Sequence, residues 1–289
     1  MMAVAPCSFN QEIAEFSLLW PIWLQQYYEQ FGDGYFTCRM AKESVEKVLS
    51  YFSRFETADG LLANVTEKWV VVDWPANLRD DFDYDYAKSR ENAVLNAFYY
   101  GSLRAAENLS KTFGLSNEHL YRQKAERLKA SFNAKLFNPN TGLYVDAPGS
   151  AHSSLHANAI PLYFGLVPPE RIPPVIELIR TKRLSCGCYI APFVIEACFN
   201  AGASDLGIDL LRSKDERSWA EMLRHGATTC MEAWGPDQKW NTSWCHPWSS
   251  SPIFLITERL VGLRPGTKGW TSVQFSPHIP QDIDWIHFH

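Results

Sequence analysis

Apolar residues return every three or four positions in one segment after another, and each segment is closed by glycine, proline, asparagine or aspartate. That spacing predicts amphipathic helices, and serial helices on short links pack as antiparallel hairpins. Residues 13–28 carry the pattern up to Gly32-Asp33-Gly34, and residues 36–55 carry it up to Ala58-Asp59-Gly60. Residues 91–113 stop at Gly114, and residues 117–136 stop at Asn138-Pro139-Asn140-Thr141-Gly142. Residues 154–164 and 169–180 form a further pair, in which Pro173-Pro174 is expected to distort the second helix. Residues 191–201, 204–211, 218–224 and 247–263 complete the helices.

Strand-like alternation is confined to short stretches. Thr271–Phe275 and Trp285–Phe288 predict strands near the C-terminus. Leu61–Asn64 and Trp69–Asp73 predict two more inside a long connection. Residues 57–90 and 230–246 are the longest loops between helices, and loops on a rigid scaffold are where chemistry concentrates.

Composition narrows the function classes. A net charge of −5 leaves no basic excess for nucleic acid. No apolar run is long enough to span a bilayer, and no charged-then-apolar leader opens the chain. Seven cysteines, an odd number, then predict reduced thiols in a cytoplasmic protein. Cys186-Gly187-Cys188 has no second pair to complete a zinc site, so buried apolar thiols are expected there. His152 and His156 lack the glutamate of a His-Glu-x-x-His zinc helix and are expected to be structural. No metal or other cofactor is expected. Nucleophile-elbow, Walker and dinucleotide motifs are absent.

Aromatic residues make up 14% of the chain, and several tryptophans sit beside acids in loops. Flat faces beside carboxylates suit a polar ring such as a sugar. In Asp73-Trp74-Pro75 the pair Asp73 and Trp74 is the stronger candidate, ahead of Asp83 and Asp85. Counting from Asp81, Tyr86 and Asn92 occupy positions where a calcium loop needs Gly and Glu. Glu232 lies in a Gly- and Pro-broken stretch between Met231 and Trp234. Desolvation there would raise its pKa unless a partner such as Arg224 or Arg259 answers it.

The run Gly226-Ala227-Thr228-Thr229-Cys230-Met231-Glu232-Ala233-Trp234, then His246-Pro247 and Leu260-Val261-Gly262-Leu263-Arg264-Pro265, resembles bacterial α-L-rhamnosidases. Leu18-Leu19-Trp20-Pro21 through Gly32-Asp33 is similar to an early helix of that family, and Phe275-Ser276-Pro277-His278 to the strand opening its C-terminal β-region. Asp73-Trp74 resembles its Gly-Asp-Trp loop, with Val72 in place of Gly. The resemblance implies a mainly α fold of (α/α)6-toroid helical hairpins over residues 1–263 and the start of a β-region over 264–289. It implies inverting hydrolysis of terminal α-L-rhamnose, with one carboxylic acid protonating the leaving oxygen and a carboxylate activating water. It places Glu232 as general base, and Asp73, Trp74, His246, Trp234 and Phe16 as the substrate-contacting set.

The chain departs from that pattern in two ways. The Arg-Asp-Glu-Arg-like run that holds the family's general acid does not occur, and about three of twelve helices are missing. An incomplete toroid, with an apolar groove at its open side that invites self-association, is therefore expected. So is a truncated form of the enzyme, the alternative being a non-catalytic carbohydrate-binding or structural remnant. A helical scaffold with no sugar site is a third reading, which leaves the acid-aromatic loops unexplained.

Overall fold

The computed structural model describes residues 11–287. Helix α1, Ala14–Phe31, ends at Gly32, whose φ of 68° lets its N–H turn back to the Tyr28 carbonyl. The next helical run is α2, Gly34–Met40, a π-turn at Ala41–Val45, and α3, Glu46–Ser53. Asp33 caps it by accepting from the Phe36 N–H at 3.0 Å. A long connection carrying the short α4, Tyr84–Ala87, leads to α5, Ala93–Phe113, which Asn92 caps. Then come α6, Glu118–Lys135, and a two-stranded hairpin, β1 Phe137–Asn138 with β2 Leu143–Tyr144.

Helices α7, Leu155–Tyr163, and α8, Ile172–Lys182, follow. Pro173 and Pro174 lie in the first turn of α8 and do not distort it, because the first helical N–H groups have no intrahelical acceptor to lose. The series closes with α9, Ala191–Asn200, α10, Ser204–Leu211, α11, Trp219–Arg224, and α12, Pro252–Leu255 with its π-turn Ile256–Leu260. The C-terminal sheet is β3, Leu263–Pro265, antiparallel to β4, Val273–Phe275, with Leu263 opposite Phe275.

Packing follows the chain. α1 lies on α5, α5 on α6 and α7, α7 on α8 and α9, and α9 on α10. The α5–α7 approach is close, since a Cβ at Gly101 would sit 2.3 Å from the Phe164 ring. Phe52, Phe98, Phe132, Tyr99, Tyr144 and Trp234 are fully buried in the core these helices share. Among the described residues no helix is long and apolar enough to cross a membrane.

Four sequence expectations are corrected. Leu61–Asn64 and Trp69–Asp73 are not strands but irregular chain pinned by single bridges, Glu56 to Leu62 and Ile13 to Trp69. Val72 at φ 59° interrupts the second stretch. Residues 285–287 carry no strand, and Phe288 lies outside the described residues. The last helix stops short of Leu263, because Gly262 at φ 73° turns the chain into β3.

Candidate active site

The loop after Trp69 is held from below. Glu15 of α1 is fully buried and accepts from the Val71 N–H at 3.0 Å and the Val72 N–H at 2.8 Å. Burial pushes its carboxyl above the ordinary range against the pull of those two N–H groups. Tyr84 donates its hydroxyl to the Val70 carbonyl at 2.7 Å. Arg79 donates to the Asp73 carbonyl at 2.9 Å and stacks over the Tyr84 ring.

Asp73 is the hub of this support. Its Oδ1 accepts from the Trp74 N–H at 2.7 Å. Its Oδ2 accepts from His156 Nε2 at 2.7 Å and from the Gly187 N–H at 2.6 Å. Both Asp73 and His156 are 0% exposed. Gly187 is required by the approach, for a Cβ there would lie 2.4 Å from the Trp74 carbonyl oxygen and 2.6 Å from Asp73 Oδ1. The placement of Asp73 in the substrate-contacting set is therefore corrected: three hydrogen bonds and complete burial leave it no face for a ligand. It positions Trp74. His152 is likewise bonded, at 2.7 Å, to buried Asp146.

Val72 carries strain. A β-branched residue at φ 59° is an outlier that glycine would adopt freely. Its side chain is fully buried, so either truncation also loses packing. Since only glycine relieves the backbone, Val72→Gly is expected to be more stable than Val72→Ala by about 1 kcal/mol, reversing the usual order. Thermal melts of the two variants check it.

The second loop, residues 230–246, folds back on itself. The Glu232 N–H donates to the Ser243 carbonyl and the His246 N–H to the Cys230 carbonyl, both at 2.8 Å. Glu232 Oε2 accepts from Lys239 Nζ at 2.8 Å and from the Ser243 N–H at 3.0 Å. Both bonds fall on one oxygen and leave Oε1 without a hydrogen-bond partner among the described residues. Desolvation pulls the Glu232 pKa up, but the Lys239 bond and the Ser243 N–H outweigh it and hold the carboxyl below its ordinary value. Arg224 and Arg259 are engaged elsewhere, with Glu221 and Glu196. His246 is pushed down by burial, so it is neutral at neutral pH.

Trp234 is corrected too. It is 0% exposed, its indole N–H donates to the Cys186 carbonyl at 2.7 Å, and its ring meets Trp219 edge-on at 5.0 Å. It anchors the loop from within the core and offers nothing to a ligand.

The two loops and the start of α1 enclose a cleft of about 710 Å³. Phe16, Trp74, Glu232 and His246 all line it, although 230 positions separate the first from the last. Trp69, Tyr189, Trp248 and Lys239 also line it, and sequence reasoning missed all four. Trp69 stands edge-on to Trp74 at 5.5 Å, Tyr189 to Phe16 at 5.4 Å, and Trp248 leans on His246 at 4.3 Å. Trp248 also donates its indole N–H to the Glu232 carbonyl at 3.0 Å. The Tyr189 hydroxyl is buried with no hydrogen-bond partner among the described residues. Lys239 carried a sequence signal, being the one Lys or Arg between Arg224 and Arg259. Among the described residues lining the cleft, the other carboxylate is the exposed Asp237.

Chemically, this is an aromatic-walled cleft with a carboxylate at its edge, Glu232, that Lys239 holds below its ordinary pKa through one of its two oxygens. Solved structures share the framework. The chain superposes with a TM-score of 0.81 on the GH78 family rhamnosidase of Bacillus sp. GL1, at 23% identity, covering 95% of this chain and 29% of that one. For the Klebsiella oxytoca rhamnosidase with rhamnose bound, the score is 0.73 at 20% identity, covering 88% and 48%. For the Streptomyces avermitilis α-L-rhamnosidase complexed with L-rhamnose, it is 0.75 at 20%, covering 96% and 26%. The chain thus spans under half the length of each of these proteins. No protein of curated function matches it. The model of the bacterial α-L-rhamnosidase six-hairpin glycosidase domain matches residues 1–260. With nine-tenths of the chain inside that match, and its helices superposing on solved rhamnosidases, the protein belongs to the bacterial α-L-rhamnosidase six-hairpin glycosidase domain family.

Proposed function

We propose that the chain acts on terminal α-L-rhamnose, and that Glu232 activates the water that displaces the leaving group with inversion. The observation that carries this reading is the state of Glu232: ionised, anchored through Oε2, and with Oε1 open at the edge of an aromatic cleft. A general base must be deprotonated before it can take a proton from water. Trp74, Phe16 and His246 would bound the sugar ring. Rhamnose in the Klebsiella and Streptomyces structures supports that choice of ligand.

An inverting reaction also needs a proton donor on the opposite side of the bond. Among the described residues the cleft's other carboxylate, Asp237, is exposed and has no buried setting to mark it as that donor. Natural rhamnosides are therefore expected to turn over negligibly, and aryl rhamnosides with good leaving groups weakly. A second reading, sugar binding without chemistry, rests on this same missing donor. The discriminating experiment pairs calorimetric titration with L-rhamnose and an assay on an activated aryl α-L-rhamnoside. Binding with turnover supports the enzyme, binding alone supports the second reading, and neither result defeats both.

The pH profile follows from the Lys239 contact. Activity should fall only as the pH drops through the depressed pKa of Glu232. In Lys239→Met the largest opposition to burial is gone, so that pKa rises and the acidic limb moves to higher pH. An unmoved limb in the aryl rhamnoside assay would show that Glu232 does not control it.

A further inference from the structure

A second hollow, of about 750 Å³, runs between α1 and the helices α9 and α12. Phe16, Leu19, Trp23, Gln26 and Gln30 line it from α1, at the spacing of one helix face. They span about 21 Å at 1.5 Å per residue. Pro192 and Phe193 of α9 and Phe254 of α12 form the opposite wall. Trp23 is 42% exposed and Phe254 39%, unusual for such rings on a helix face.

The groove is elongated and apolar along its floor, which is the shape that receives a helix. Its place in the fold agrees. Four helical hairpins are present among the described residues, α1 with α2–α3, α5 with α6, α7 with α8 and α9 with α10, and α11 and α12 follow them in the chain. The family is described by six. The groove is the seam between the first hairpin on one side and α9 and α12 on the other.

The charges at the far end specify the occupant further. Three carboxylates, of Glu29, Glu196 and Glu258, reach the groove. Arg259 answers Glu196. Among the described residues Glu29 bonds to Gln25 and Glu258 to Gln30, and neither forms a salt bridge. Burial and the neighbouring Glu196 push the Glu258 carboxyl above its ordinary range, and the more distant Arg259 and Arg264 do not offset them.

We propose that this groove is the docking site of one amphipathic α-helix supplied from outside these 289 residues, its apolar face on Trp23, Phe193 and Phe254 and a Lys or Arg at the end that meets Glu29 and Glu258. The ten residues before Gln11 are too few to cover 21 Å as a helix. Because Phe16, Tyr189, His246 and Trp248 line both hollows, the docked helix ends against the candidate active site.

The test uses the full chain and two labelled 18-residue peptides. Each carries leucine on one helical face and a Lys pair in its first or its last turn. Fluorescence anisotropy is expected to show saturable binding of one of them. The same peptide with Glu in place of Lys should bind at least tenfold more weakly. The Glu29→Gln/Glu258→Gln variant should erase that difference, and Trp23→Ala should weaken binding at least tenfold. Circular dichroism melts establish that both variants are folded, and Trp23 is exposed enough to be replaced without loss of the core. Equal binding of Lys and Glu peptides, indifference to Trp23→Ala, or no binding by a monomeric chain overturns the proposal. So does sedimentation showing a dimer that Trp23→Ala dissolves and that excludes the peptide, since the occupant would then be a second copy.

Discussion

Glu232→Gln is expected to lower turnover of an activated aryl α-L-rhamnoside by about 10²–10⁴-fold, the usual contribution of a positioned base. Glutamine keeps the shape and can still accept from Lys239 Nζ and the Ser243 N–H. It cannot take a proton from water. Binding of L-rhamnose should therefore survive while the rate is lost, and calorimetry beside the assay separates the two. Loss of binding together with rate would place Glu232 in sugar recognition. Retained rate would remove it from the chemistry.

Asp73→Ala should be the most damaging substitution for stability in the support of the cleft. It strips partners from His156 Nε2 and from two backbone N–H groups, all in fully buried or nearly buried surroundings. Removing one side of such a buried network typically costs about 3–5 kcal/mol. Denaturant titration reads the loss directly. Asp73→Asn keeps one oxygen and should lie between the two. An Asp73→Ala chain as stable as the parent would mean that the hub carries no load, and that Trp74 is held by Arg79 and Glu15 alone.

The helices were legible because burial on one face imposes a period on sequence, and α1, α5 and α6 follow theirs to within a few residues. The cleft was legible only in part. Phe16, Trp74, Glu232 and His246 came from separate segments tied together by the family resemblance and line it together, while Asp73 and Trp234 came from the same resemblance and do not. An acid beside an indole looks alike in sequence whether it faces a ligand or a buried Gly187 N–H. Lys239 reaches Glu232 because the intervening turn folds back, and no periodicity encodes that turn. Tyr189 follows Cys186-Gly187-Cys188, a stretch whose thiols drew attention as core material. Cys186 and Cys188 are indeed buried, and burial pushes each thiol up.

The bonds of Asp73 also set an order of events. Helices α5 and α6 are neighbours in sequence and can pair soon after they form. Asp73 must wait for His156, 83 positions on, and for Gly187, 114 positions on. Asn77 reaches Gln238 only across 161 positions. Closing loops of that length is slow and is not rewarded until the last contact is made. On a ribosome, a nascent chain halted before Gly187 would hold several finished hairpins and no cleft at all. The cleft is then acquired late, and its presence reports that the polypeptide has arrived as far as Trp248.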